Sequence, residues 1–166
     1  EAMKEKPILM TAENYRKCED ETKGMTRRVI TPQPPQNLHD GVWQHTPRGW
    51  GYFVGNKKTW PINFYRLGIK CPYPVGTRLW VKEPFAFNFC DYHNNYITGE
   101  YKLGGSFAVN LTDKEWENFQ NWKNPYQYKS PLFMFKSLAR LWLEVMAVRV
   151  ERLQEISEWV IEFKRI

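Results

Sequence analysis

The chain has 166 residues, 42% of them apolar and 25% charged, a size and balance that exclude a disordered chain and suit one ordered domain, 1–166, with its own hydrophobic core. Lys and Arg number 24 against 18 Asp and Glu, a net charge of +6, which favours acidic partners over basic ones. No apolar run reaches the about 20 residues that span a bilayer, and no signal-peptide pattern opens the sequence, so the expectation is a cytoplasmic protein with no membrane partner. Cys18, Cys71 and Cys90 are odd in number and far apart, and His39, His45 and His93 are equally scattered. That spacing predicts reduced thiols, no metal site and no cofactor.

In chain order, Pro7–Met10 reads as a short strand. Thr11 is placed to N-cap a helix through about Glu21, which Lys23–Gly24 breaks. Met25–Ile30 runs extended into a stretch, residues 31–49, that holds four prolines, two histidines and two glycines and reads as a long loop. Trp50–Val54 and Thr59–Tyr65 flank a Gly55–Lys58 turn, the signature of a hairpin. In Arg78–Phe85, the residues Leu79, Val81, Glu83 and Phe85 share one face. A carboxylate on that buried face has to be paired or functional, because a lone buried charge is expensive.

Asn88–Lys102 reads as a second hairpin around His93–Asn95, and Thr112 to Glu115 form a capping box that opens a helix to about Trp122. Leu141–Leu153 carries apolar residues in two frames, which predicts a bulge or a strand buried on both faces. Trp159, Ile161 and Phe163 alternate with Val160, Glu162 and Lys164 as a half-buried final strand. Short strands with two helices and no βαβ rhythm indicate an α+β fold around a small, curled sheet or barrel.

The charge is uneven. Between Thr22 and Lys82, ten basic residues face a single acid, Asp40, and nine aromatics are interleaved with them: Trp43, Trp50, Tyr52, Phe53, Trp60, Phe64, Tyr65, Tyr73 and Trp80. Cations that neutralise phosphates beside rings on which bases stack are what single-stranded nucleic acid requires. A solvated basic surface over a core of aromatics has the same composition, and both readings stand at this level.

Several segments, taken in order, resemble the phage and prophage branch of the ASCH domains. They are Lys6-Pro7-Ile8-Leu9, Lys23-Gly24-Met25-Thr26-Arg27-Arg28-Val29-Ile30 with Pro32-Gln33-Pro34, and Cys71-Pro72-Tyr73 with Gly76-Thr77-Arg78-Leu79-Trp80-Val81-Lys82-Glu83. Pro131-Leu132-Phe133-Met134, Arg149-Val150-Glu151-Arg152-Leu153-Gln154-Glu155-Ile156-Ser157 and Trp159-Val160-Ile161-Glu162-Phe163-Lys164-Arg165 complete the set.

The resemblance implies a PUA-like fold, a small mixed β-barrel with flanking helices and a cleft beside the first helix. It further implies binding of RNA or a modified nucleoside; the sequence does not decide RNA against DNA. Arg27, Arg28, Lys82, Lys136 and Arg140 would then meet phosphates, and Trp80 would stack a base. The alternative that it implies is a hydrolase, either an amidohydrolase on 4-acetylcytidine-like nucleosides or a ribonuclease. Lys23 would act as base and activate Thr26 or a water, and Arg28 would hold an oxyanion or phosphate; Glu83, read from its place on the buried face and not from the resemblance, is the candidate acid. The chain departs from the family at Gly24, where a second Thr is usual, and after Ser157, where the helix that carries the family's acid is missing.

Overall fold

The computed structural model describes residues 4–31, 33, 41–54, 63–124, 126–153 and 156–166. Its elements are β1 (Glu5–Leu9), α1 (Ala12–Glu19), β2 (Met25–Val29), β3 (Val42–Thr46), β4 (Gly49–Val54), β5 (Asn63–Ile69), β6 (Arg78–Lys82) and β7 (Phe85–Asp91). There follow β8 (Tyr96–Tyr101), β9 (Ser106–Asn110), α2 (Asp113–Gln120), 3-10 turns at Pro131–Phe133 and Lys136–Leu138, β10 (Trp142–Leu153) and β11 (Ile156–Arg165). His39, Asp40, Trp60, the Gly55–Lys58 turn, Thr59 at the head of its expected strand, and the motif residues Pro32, Pro34, Gln154 and Glu155 lie outside the described residues. Among the described residues no helix is long and apolar enough to cross a membrane.

Both helices start where local chemistry dictates. The Thr11 hydroxyl accepts the Asn14 amide at 3.3 Å, and Thr112 and Glu115 close a reciprocal capping box, satisfying amides that the first helical turn leaves without partners. The strand expected over Arg78–Phe85 is divided at Glu83–Pro84 into β6 and β7, since proline has no N–H to give to a ladder. Val42–Thr46, expected as loop, is β3, paired antiparallel with β4. Its polar Gln44 and His45 hid it, because a strand with little burial shows little alternation.

The strands form three separate sheets, ordered β1-β6-β10-β11-β2, β3-β4-β5 and β7-β8-β9. Each sheet is open, with two edge strands, and none closes on itself. This corrects the expectation of a PUA-like barrel: the protein is a mixed α+β fold of open sheets with two short α-helices among the described residues. The resemblance to ASCH domains falls with it. Its motifs are short local runs, most of which fall on strands while Pro131–Phe133 is a 3-10 turn, and such runs do not say which strand edges meet.

The chain divides into two compact units, one of Glu1–Gly24, Thr77–Glu144 and Lys164–Ile166, the other of Met25–Gly76 and Val145–Phe163. The first unit is built around Phe85, Phe87, Ile97, Tyr101, Phe107, Trp116, Phe119 and Phe135, all buried. Each such ring contributes about 1.5–3 kcal/mol on leaving water. The Phe87 ring meets Phe107 at 5.8 Å and Phe119 at 5.0 Å, both edge-on. Gly99 pairs with Phe107 across β8 and β9. A β-carbon there would stand 2.1 Å from the Ala86 carbonyl oxygen, so the ring lies where only a glycine leaves room.

In the second unit three rings of the basic stretch pack against neighbouring rings. Tyr52 is fully buried, Trp43 tilts against it at 5.2 Å, and Trp50 meets Trp159 edge-on at 5.8 Å. Val160 is as buried as Trp159 and Ile161, so the centre of β11 is covered on both faces rather than half-buried. Chain positions 154 and 155 alone separate β10 from β11, and Ser157 lies within the strand.

Candidate functional site

The site residues expected from sequence are divided between the units. Lys23, Trp80, Lys82, Glu83, Lys136 and Arg140 belong to the first unit, and Thr26, Arg27 and Arg28 to the second. Thr26 and Arg28 share one side of β2, Thr26 buried and Arg28 half-buried. Arg27 is engaged by Glu151 at 2.8 Å and Glu158 at 3.6 Å. Lys23 is half-buried, and its amide donates to the Lys17 carbonyl at 3.0 Å.

Glu83 satisfies the requirement that a buried acid be paired. Its carboxylate is 1% exposed and accepts two parallel bonds from Arg140, Nε to Oε1 at 2.8 Å and Nη2 to Oε2 at 2.7 Å, the bidentate geometry that a guanidinium favours. The guanidinium lies 4.2 Å from the Tyr101 ring centroid and 5.5 Å from that of Tyr15. Gly105, at φ +87°, leaves space that a β-carbon would take from Arg140, 2.8 Å from its Nη1. The hydrogen bonds that Arg140 donates to Glu83 raise its pKa and hold the guanidinium firmly protonated. Burial, then the Glu83 charge, pushes the Tyr101 phenol up to about 12 and raises Tyr15 as well. Each carboxylate oxygen of Glu83 is engaged by Arg140, and the side chain is closed off from solvent.

On the same unit lies a groove of about 760 Å³. Trp80 of β6 and Trp142 of β10 stand opposite each other in register and line it with Met134 and Phe135. Trp80 is mostly covered, 8% exposed. The first turn of α2 adds Lys114 and Glu115 to the rim, and the 3-10 turn adds Lys136 and Ser137. Lys136 pairs with Glu5 and sits 5.8 Å over the Trp142 ring. Lys82 lies 5.0 Å over the Trp80 ring and donates to the Leu132 carbonyl at 2.9 Å, and burial lowers its pKa. Lys114 is exposed and has no ion-pair partner among the described residues.

Glu115 holds this rim together. It accepts from the Ser137 amide at 3.1 Å, the Ser137 hydroxyl at 2.5 Å, the Thr112 amide at 3.1 Å and the Thr112 hydroxyl at 2.9 Å. Burial by itself raises its pKa, but these bonds outweigh burial and leave the carboxyl below its ordinary range. Because the folded value is lower than the unfolded one, the contribution to stability is fully present above the ordinary glutamate range and is lost as pH falls through the lowered value. Glu115→Gln is expected to cost roughly 1 kcal/mol at neutral pH. The gap from wild type should close on acidification, which urea unfolding across a pH series will show.

Sequence reasoning named Trp80 and Lys136 and missed the residues that complete the groove. Glu115 was visible only as half of a capping box. Trp142 carries no local signal, because its place opposite Trp80 is a matter of register between strands 62 residues apart in the chain (142 − 80).

The expected nucleic-acid cleft is not assembled. Arg27, Lys136 and Arg140 are held by carboxylates and Lys82 by a carbonyl, and the barrel that would frame a cleft is absent, the sheets being open. The hydrolase reading fails on the same ground, with its acid, Glu83, committed to Arg140. Fold and groove instead define an α+β protein of open sheets whose first unit carries an aromatic groove rimmed by cations. No family model matches the chain, and neither a curated protein nor a solved structure matches it significantly.

Proposed function

We propose that the protein is a recognition module that receives an apolar anchor side chain of a partner polypeptide beside Trp80 and Trp142, with an adjacent carboxylate of that partner on Lys114. The groove with its paired tryptophans carries the reading. At about 760 Å³ it lies within the range of sites that enclose a ligand group, about 300–1,000 Å³. Apolar floors with a charged rim are the anatomy of anchor pockets, where tryptophan and a few buried contacts dominate affinity. The run of chain that lines the groove also exposes Leu132 and Phe133, each more than half accessible, which enlarges the apolar surface a partner would cover.

The test is selection of a displayed library of short random peptides on the folded protein. Peptides with a bulky apolar residue next to Asp or Glu are expected to be enriched, and Trp142→Ala is expected to weaken them about tenfold or more. Lys114→Glu should weaken the acidic ones selectively. Failure to enrich any sequence, or equal binding by Trp142→Ala, overturns the reading.

A further inference from the structure

A second cavity, of about 340 Å³, opens past the C-terminal end of α2. Its wall is Trp122 with Phe133, its charged groups are Lys123 and Lys129, and Asn121, Asn124 and Gln127 supply carboxamides; among the described residues no carboxylate lines it. The wall is rigid: the Trp122 indole stacks on Phe135 at 5.1 Å and 17° and meets Phe133 edge-on at 6.3 Å. Lys129 is fixed by its backbone amide, which donates to the Phe85 carbonyl at 2.7 Å, and its Nζ lies 5.5 Å over the Trp122 ring. Asn121 spends its amide on the Glu117 carbonyl at 3.0 Å, leaving its oxygen as an acceptor. The side chains of Asn124 and Gln127 have no hydrogen-bond partner among the described residues, so each presents a donor and an acceptor to the cavity.

Each component selects one feature of a ligand. An indole face packs against the C–H face of a saturated ring. Carboxamides pair with vicinal hydroxyls, which need donor and acceptor side by side. Two lysines without an opposing acid select a negative charge. We propose that this cavity binds an acidic sugar unit, a hexuronate or sialic-acid-type ring, with the carboxylate on Lys123 and Lys129 and the hydroxyls on the carboxamides. A bare phosphate would engage only the lysines, and a neutral sugar only the ring and the carboxamides. The volume accommodates one such ring and stands at the small end of ligand sites, about 300 Å³ and upward. The inference does not rest on the peptide groove, although Phe133 borders both regions.

The test is calorimetric titration of the whole chain at low salt with galacturonate, glucuronate, N-acetylneuraminate, galactose, glucose and inorganic phosphate. At least one acidic sugar is expected to bind saturably, and the neutral sugars and phosphate about tenfold more weakly. Lys129→Met and the double variant Asn124→Ala/Gln127→Ala alter exposed or half-exposed side chains, and each is expected to weaken the acidic sugar about tenfold with an unchanged circular dichroism spectrum. Phosphate binding as tight as the best sugar would show an anion site only and overturn the proposal. Unchanged affinity in Lys129→Met, or no saturable binding of any acidic sugar, would overturn it equally.

Discussion

Replacing Arg140 by methionine is expected to destabilise the protein by about 3–5 kcal/mol, the cost of leaving a buried carboxylate without its partner. Glu83 is 1% exposed and Arg140 30% exposed, so the two halves of the pair are not equivalent. Arg140→Met strands a charge that water does not reach, whereas Glu83→Gln leaves a guanidinium that still touches solvent and should cost clearly less. Removing both charges together, as Glu83→Leu with Arg140→Met, is expected to recover most of the loss, because apolar replacement of a buried pair is often neutral. For a chain of this length the single Arg140 change corresponds to a fall in Tm of roughly 6–20 °C. Urea and thermal unfolding of the three variants decide it. A loss under about 1 kcal/mol for Arg140→Met would mean that Glu83 finds water or a proton after all.

Phe87→Ala should have an effect of similar size, about 3–5 kcal/mol, by opening a cavity in a packed core. The ring is 1% exposed and is the meeting point of Phe85 at 5.3 Å, Phe119 at 5.0 Å, Trp122 at 5.7 Å and Phe135 at 6.5 Å. Phe135 also lines the groove, so the loss reaches function: selected peptides should bind the variant more weakly even at temperatures where it remains folded. Phe87→Leu, which keeps most of the volume, is expected to lose much less of both. Chemical denaturation and near-ultraviolet circular dichroism separate a local cavity from a molten core. Full retention of peptide affinity in a folded Phe87→Ala protein would show that the core does not position the groove.

The errors of sequence reading have a common cause. Arg27, Arg28, Lys82, Lys136 and Arg140 are indistinguishable in the sequence from cations free to meet phosphate. Arg27, Lys136 and Arg140 are instead engaged by carboxylates that lie 124, 131 and 57 residues away, counted as Glu151 − Arg27, Lys136 − Glu5 and Arg140 − Glu83. The interleaved rings were read as equally open to stacking or to core packing, and the structure shows Tyr52 and Trp80 buried. The family resemblance rested on short segments, most of them on strands and one, Pro131–Phe133, in a 3-10 turn. Whether those strands close into a barrel is decided at the edges, which no single segment describes.

What the sequence determined by itself is what acts over one or two turns of chain. The caps at Thr11 and Thr112 rest on contacts three residues away, and Pro84, with no N–H to give to a ladder, falls where β6 gives way to β7. The alternation along Arg78–Lys82 places Leu79 and Val81 inside, and the same alternation requires that Glu83 find a partner. The tertiary structure alone decided that the partner is Arg140, that Trp142 stands across from Trp80, and that the sheets remain open. Each of these depends on the register between segments remote in sequence. Register is set by the packing of whole faces against one another, a property that no local run of residues contains.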